Sequence, residues 1–216
     1  MVRFAVILGS VRPASVGAPV AQWVARKAST VEGVQADVIT LAELGLPFFA
    51  EPVPPSLAAP TDPAGAAWNE RLAAYDGVVI VTPEYDHSIP GVLKNAIDFL
   101  RPGVLAYKPV GLVGYSYYNG IRPLEHLRDI LSGFDVSFVN PEVLLSLRAD
   151  FTEGAFTPAA YHEDEVPAMV RAMVASGFGE FRMILTAIFP SARVHHGTTS
   201  YTPARPNPET AARIRG

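Results

Sequence analysis

Two short apolar runs constrain this chain more than anything else in it. Phe4-Ala5-Val6-Ile7-Leu8 and Val78-Val79-Ile80-Val81 are apolar at every position rather than at every second one. A strand can read that way only when both of its faces are covered, as in a parallel sheet. Each run stops at a polar loop: GSVRPAS from Gly9 to Ser15 after the first, and a proline-bearing loop from Thr82 to Pro90 after the second. Where buried strands end in such loops, backbone donors are free to meet a ligand, and two such loops on one sheet edge make a site.

Strand and helix signals alternate along the rest of the chain. Val16 to Thr30 reads as a helix, with Val20, Trp23, Val24 and Lys27 at helical spacing and Ser15 as its N-cap. Val34 to Leu41 alternates and reads as the second strand. Leu46 to Pro63 holds six of the 20 prolines, too many for a helix interior. Ala64 to Tyr75 is the second helix, with Trp68, Leu72 and Tyr75 on one stripe, and Gly77 to Thr82 the third strand. Pro90 opens the next helix, where its missing N–H costs nothing, and Leu93, Ile97 and Leu100 form the buried face. Val110 to Gly114, Ile121 to Leu131, and Val136 to Leu147 with Pro141 as a break point complete the alternation. Glu163 to Ala175 is the last helix of the core. Right-handed crossovers then leave a doubly wound α/β sheet of five parallel strands with helices on both faces. One sequence does not give strand order, but the informative loops, after the first, third and fourth strands, fit the order 2-1-3-4-5. The ligand belongs between the first and third strands.

Composition excludes several classes. A charge of −4 lacks the clustered cations that phosphate neutralisation on nucleic acid requires. With no cysteine there are no disulfides, thiolate metal sites or cysteine nucleophiles. The N-terminus runs straight into a strand without a leader-type apolar stretch, and no apolar run approaches a membrane span, so the expectation is a cytoplasmic protein.

The three loops differ in chemistry. GSVRPAS brings the Ser10 and Ser15 hydroxyls, the Arg12 guanidinium and free amides to a helix start, which suits a single terminal phosphate. It is neither a nucleotide-triphosphate P-loop nor a G-x-G-x-x-G fingerprint. The bland alternative is a capping Ser15 and a solvated Arg12. In Pro83 to Ser88 no nucleophile–base pair can be assembled: His87 and Ser88 point apart in an extended loop, and no acid orients the histidine. The loop instead offers backbone groups to a flat heteroaromatic edge, with Tyr85 as a wall, while Lys94 and Asn95 tie it down. Gly114-Tyr115-Ser116-Tyr117-Tyr118-Asn119-Gly120 is aromatic enough for a planar ligand or for a subunit interface.

At these loops the chain resembles the NAD(P)H-dependent FMN reductase family of flavodoxin-like proteins, which includes FMN, quinone, azo-dye and chromate reductases. The family patterns are G-S-x-R-x-x-S after the first strand and P-E-Y-N-x-S-x-P-x-x-L-K-N-A-I-D after the third. Gly9, Ser10, Arg12 and Ser15 match the first. Pro83, Glu84, Tyr85, Ser88, Pro90, Leu93, Lys94, Asn95, Ala96, Ile97 and Asp98 match the second. The likeness covers Val2 to Leu147.

The resemblance implies a flavodoxin-like fold with FMN as cofactor and NADPH or NADH as co-substrate. Ser10, Arg12 and Ser15 would grip the phosphate, with Val16 and Gly17 completing that loop. Pro83, Glu84, Tyr85 and the backbone at Asp86 and His87 would line the flavin ring, and Ser116, Tyr117 and Tyr118 would close the site. No side chain is implied as a catalytic acid or base, because the cofactor carries the chemistry, and no metal is implied. Partners would be a small-molecule electron acceptor and further copies of the chain, in a homodimer or homotetramer, with no nucleic acid and no membrane.

Three positions depart from the pattern: Gly17 stands where an Asn is common, Asp86 replaces an Asn, and Tyr117-Tyr118-Asn119-Gly120 replaces a glycine pair. The competing functions are an electron-transfer flavoprotein reduced by a partner protein and a pathway-specific flavoenzyme.

Residues 1–175 are read as the FMN-binding domain and 176–216 as an extension that packs on the core or on a partner subunit. Met169, Met173, Phe178, Phe181, Met183, Ile184, Leu185, Ile188 and Phe189 are too apolar for a solvated tail. His195-His196 has no acidic company and reads as a surface pair, Thr202 to Gly216 as a flexible end, and His126 and His162 as isolated.

Overall fold

A computed structural model describes residues 1–178. Phe181 to Phe189, the His195-His196 pair and the Thr202–Gly216 end lie outside the described residues, as does nearly all of the 176–216 extension. In order come β1 (Val2–Leu8), α1 (Gly17–Ala28), β2 (Val34–Thr40), α2 (Pro63–Ala73), β3 (Gly77–Pro83), α3 (Gly91–Asp98) and β4 (Pro109–Ser116). There follow α4 (Ile121–Leu131), β5 (Ser137–Phe138), β6 (Val143–Ser146), the short pair β7 (Phe151–Thr152) and β8 (Ala155–Phe156), and α5 (Glu165–Phe178).

The main sheet runs β2-β1-β3-β4-β5, with β6 also on β4, and every pairing in it is parallel. This is the doubly wound flavodoxin-like arrangement. The apolar runs are continuous for the expected reason. Phe4, Val6 and Leu8 pack on one face against α1 and α5, through Val20, Val24, Met169 and Met173. Ala5 and Ile7 pack on the other against α2, α3 and α4, through Leu72, Leu93 and Leu127. All seven residues of β3 and all eight of β4 are buried.

Several boundaries differ from the sequence reading. The fifth strand is two pieces, because Pro141 between them has no N–H to give the ladder. Helix α2 begins at Pro63, which the proline-rich loop had claimed. Asp62 caps it, its Oδ1 accepting from the Ala64 and Gly65 amides at 2.9 and 3.0 Å. Pro90 is the residue before α3 rather than its first. The last helix starts at Glu165 and carries Val166, Met169, Val170 and Met173 into full burial. At Gly111 an added Cβ would lie 2.8 Å from Met169 Sδ, so α5 seats directly on the middle of β4.

Candidate functional site

The carboxyl ends of β1, β3 and β4 lie side by side, with Leu8 opposite Val81 and Pro83 opposite Tyr115. Three loops therefore leave one edge together.

The first loop turns at Gly9, whose amide donates to Val81 O at 2.8 Å. A Cβ there would sit 2.9 Å from Leu93 Cδ2, so only glycine lets the loop lie this close to α3. Ser10 is buried, and its Oγ accepts from the Arg12 amide at 3.3 Å and meets the Tyr85 hydroxyl at 2.8 Å. Arg12 Nε donates to that same phenol oxygen at 3.3 Å. Ser15 is not the N-cap of α1; Val16 holds that place without a side-chain bond. Ser15 Oγ still accepts from the Gly17 amide at 3.1 Å and meets the Tyr115 hydroxyl at 3.1 Å. No acidic residue lies in the first turn of α1.

The second loop is a tight hairpin and not an extended segment. Tyr85 and Ser88 exchange both backbone bonds at 2.9 Å, leaving Asp86 (φ 46°) and His87 (φ 66°) at the tip. Two left-handed residues in a two-residue turn match the twist of the flanking chain, and Asp and His are among the non-glycine residues that tolerate that region. Ser88 Oγ is not isolated: it lies 2.8 Å from His126 Nδ1 on α4. His126 has no carboxylate partner among the described residues, so no acid–base triad forms.

Glu84, the first residue after β3, points inward with a side chain 7% exposed. Ser116 Oγ donates to its Oε2 at 2.8 Å and accepts from the Tyr118 and Gly120 amides at 2.9 Å each. Arg122 Nη1 donates to Glu84 Oε1 at 2.6 Å, and the Arg122 guanidinium lies 4.5 Å from the centre of the Tyr118 ring. Burial pushes the Glu84 carboxyl up, but the bonds from Arg122 and Ser116 outweigh it, and the group sits below its ordinary range. Ser116 and Glu84 thus spend their polar atoms on each other, on the third loop's amides and on Arg122, fixing the second loop to the third.

The other expected residues fall in three groups. Ser10, Arg12 and Tyr85 form one hydrogen-bonded cluster, so Tyr85 joins the phosphate end instead of standing only as a wall. Tyr117 and Tyr118 are exposed at the rim. Lys94 pairs with Asp98 at 2.5 Å, and Asn95 bonds Phe49 N and Pro47 O at 2.8 Å each; neither ties the hairpin down, and Asn95 anchors the proline-rich loop instead.

The sequence reading did not place three residues at this edge: Tyr115, read as a loop aromatic but buried at the end of β4, Arg122 on α4, and His126 on α4, read as isolated. Only the aromatic size of Tyr115 in a strand otherwise rich in small residues signalled it. His162 also has company after all, buried 2.5 Å from Glu165 Oε2 and 3.3 Å from Asp150 Oδ1.

The model of a family described as NADPH-dependent FMN reductase matches residues 2–150. The chain belongs to that family. Its members are oxidoreductases, and this chain is an enzyme of that class. It is 34% identical over 140 residues to an NAD(P)H-dependent FMN reductase of Nectria sp, a match spanning 61% of this chain and 68% of the relative. A quinone reductase of Escherichia coli (strain K12) is 40% identical over 89 residues, covering 36% of this chain and 45% of its own length. Among solved structures, the Paracoccus denitrificans flavoenzyme FerB, an NAD(P)H:(acceptor) oxidoreductase, superposes with a TM-score of 0.62 at 23% identity. That match covers 80% of this chain and 97% of FerB, and it supports the fold.

The donor set fits the family's cofactor. Two serine hydroxyls, a guanidinium and helix-start amides, with no carboxylate in the first turn, suit an anionic phosphate monoester. Among the described residues no helix is long and apolar enough to cross a membrane.

Proposed function

We propose that the chain is an NAD(P)H-dependent FMN oxidoreductase that takes electrons from a nicotinamide and passes them to a small acceptor such as a quinone, an azo compound or free flavin. The observation that carries this reading is the pair of bridges between loops. Ser10 to Tyr85 at 2.8 Å closes the phosphate end, and Ser116 to Glu84 at 2.8 Å braces the ring end.

Ser10, Arg12, Ser15, Val16 and Gly17 would hold the FMN phosphate. Pro83, Tyr85 and the backbone at Asp86 and His87 would meet the ring. Glu84 and Ser116 would act by holding those loops in place, and Tyr117 and Tyr118 would border the mouth. FMN, when bound, supplies the hydride-accepting and electron-donating chemistry. The protein's part is to bind, to orient and to set what reaches the mouth, where the Asp86 carboxylate and the two exposed tyrosines are this chain's own features. A quinone-type acceptor is favoured because a quinone reductase is among the relatives.

We further propose a cytoplasmic enzyme, since that compartment supplies reduced nicotinamide, and a homodimer or homotetramer with the exposed Tyr117 and Tyr118 at its interface.

Anaerobic stopped-flow mixing tests the main reading. Protein loaded with FMN should lose its absorbance near roughly 450 nm, a property of the cofactor, within seconds of meeting NADPH or NADH. The colour should return on adding a quinone. Protein that neither retains nor turns over FMN would refute the reading, and fast reduction only by a reductase protein would favour an electron carrier.

A further inference from the structure

The two serines of the first loop are built alike. Ser10 Oγ takes the Arg12 amide at 3.3 Å and the Tyr85 phenol at 2.8 Å. Ser15 Oγ takes the Gly17 amide at 3.1 Å and the Tyr115 phenol at 3.1 Å. A serine oxygen has two lone pairs and one proton. The amide fills one lone pair, so the direction of the phenol bond decides where the serine proton goes.

For Tyr115 the direction follows from burial. The residue is 3% exposed, and Ser15 Oγ is its hydroxyl's hydrogen-bond partner among the described residues. Were serine the donor, the phenol proton would be buried without an acceptor, at a cost of roughly 1–3 kcal/mol. Tyr115 therefore donates, both Ser15 lone pairs are filled, and the Ser15 proton is turned outward. Burial also pushes the Tyr115 phenol up to about 12, so this donor keeps its proton at any working pH. At Ser10 the geometry does not fix the direction: the Tyr85 oxygen accepts from Arg12 Nε at 3.3 Å, and either hydroxyl can donate across the 2.8 Å bond to Ser10.

We propose that Tyr115 is a positioning residue of the first loop, donating to Ser15 Oγ and so committing the Ser15 hydroxyl proton to a bound phosphate monoester. The inference rests on the reading that this loop holds the FMN phosphate. Such a monoester is close to a dianion at neutral pH and presents only acceptors, so a loop with the Ser15 hydroxyl fixed as a donor favours it over a neutral group. Gly17 makes the device possible. A Cβ at position 17 would lie 2.3 Å from the Tyr115 hydroxyl oxygen, so the phenol reaches Ser15 only past a glycine.

Riboflavin shares the flavin ring and lacks the phosphate, which isolates the effect. Dissociation constants for FMN and riboflavin are measured by fluorescence titration on the full chain and on Tyr115→Phe, Ser15→Ala and the double variant. Wild type should prefer FMN. Ser15→Ala should weaken FMN about tenfold, the scale of one hydrogen bond to a charged group, and leave riboflavin unchanged. Tyr115→Phe keeps the Ser15 hydroxyl and frees its proton to turn elsewhere, so it should take part of that loss and also spare riboflavin, and the double variant should be no worse than Ser15→Ala alone.

A wild-type preference retained in full by Tyr115→Phe, or losses that simply add, overturns the inference while the loop reading stands. No FMN preference in wild type overturns both. Should Phe at 115 disturb the core, as circular dichroism melting would show, Ser15→Ala decides alone: an undiminished FMN preference there sinks the idea.

Discussion

Gly17 has no room for a side chain. It opens α1, where Ala would ordinarily help a helix by up to about 1 kcal/mol. Here the added Cβ would meet Tyr115 Oη at 2.3 Å and Leu8 Cδ1 at 2.8 Å. The phenol cannot swing aside without losing Ser15, and overpacking of this kind costs roughly 1–3 kcal/mol. The clash outweighs the propensity gain, so Gly17→Ala should lower the melting temperature. In a Tyr115→Phe background the nearest atom is gone, although Tyr115 Cζ at 3.1 Å and the Leu8 methyl remain. The penalty should then shrink by on the order of 1 kcal/mol, a coupling typical of residues in contact. Equal penalties in both backgrounds, read from denaturant curves, would show that the phenol oxygen is not the obstacle.

The loops behave as elements through the Glu84 tie. Ser116 and Arg122 hold the Glu84 carboxylate and keep it below its ordinary value of 4.5. A carboxylate depressed in the folded state contributes stability that is complete above its unfolded value and is lost as pH falls through the folded one. Glu84→Gln should therefore cost roughly 1–3 kcal/mol near neutral pH, the scale for breaking a buried charged bond. That deficit should narrow as pH drops below 4.5. A melting-temperature gap that stays constant down to the acid limit would mean the tie carries no folding energy.

At this scale the sequence was also most readable, and for a physical reason. Burial on both faces writes β1, β3 and β4 as unbroken apolar runs, and α3 shows its buried stripe at Leu93, Ile97 and Leu100. What resisted was anything fixed by contacts across the sheet edge. Asp86-His87 carries no glycine to announce a two-residue turn. Tyr115 looks like one more loop aromatic until β4 is placed in the sheet, one strand away from β1 across β3. Arg122 becomes a site residue only when α4 brings it back to Glu84. The Asp62-Pro63 helix start was legible and was masked by the prolines around it.

Across the whole molecule, the question is where the folding unit ends. The family match stops at residue 150, yet α5 supplies Val166, Met169, Val170 and Met173, each 0% exposed, to the face shared with α1. Removing four buried side chains, at roughly 2–5 kcal/mol each, costs as much as the ~5–15 kcal/mol by which a domain is stable. A chain ending at Asp150 should therefore fail to fold, visible as lost cooperative melting and no FMN retention. A chain ending at Phe178 keeps all of α5 and should melt cooperatively and bind FMN. We propose that residues beyond it, apolar at Phe181, Met183, Ile184, Leu185, Ile188 and Phe189, cover the core or a second subunit. On that proposal the shortened chain should show either fewer subunits per particle by light scattering or a lower melting temperature than the full chain. If both match the full-length protein, the extension serves neither purpose.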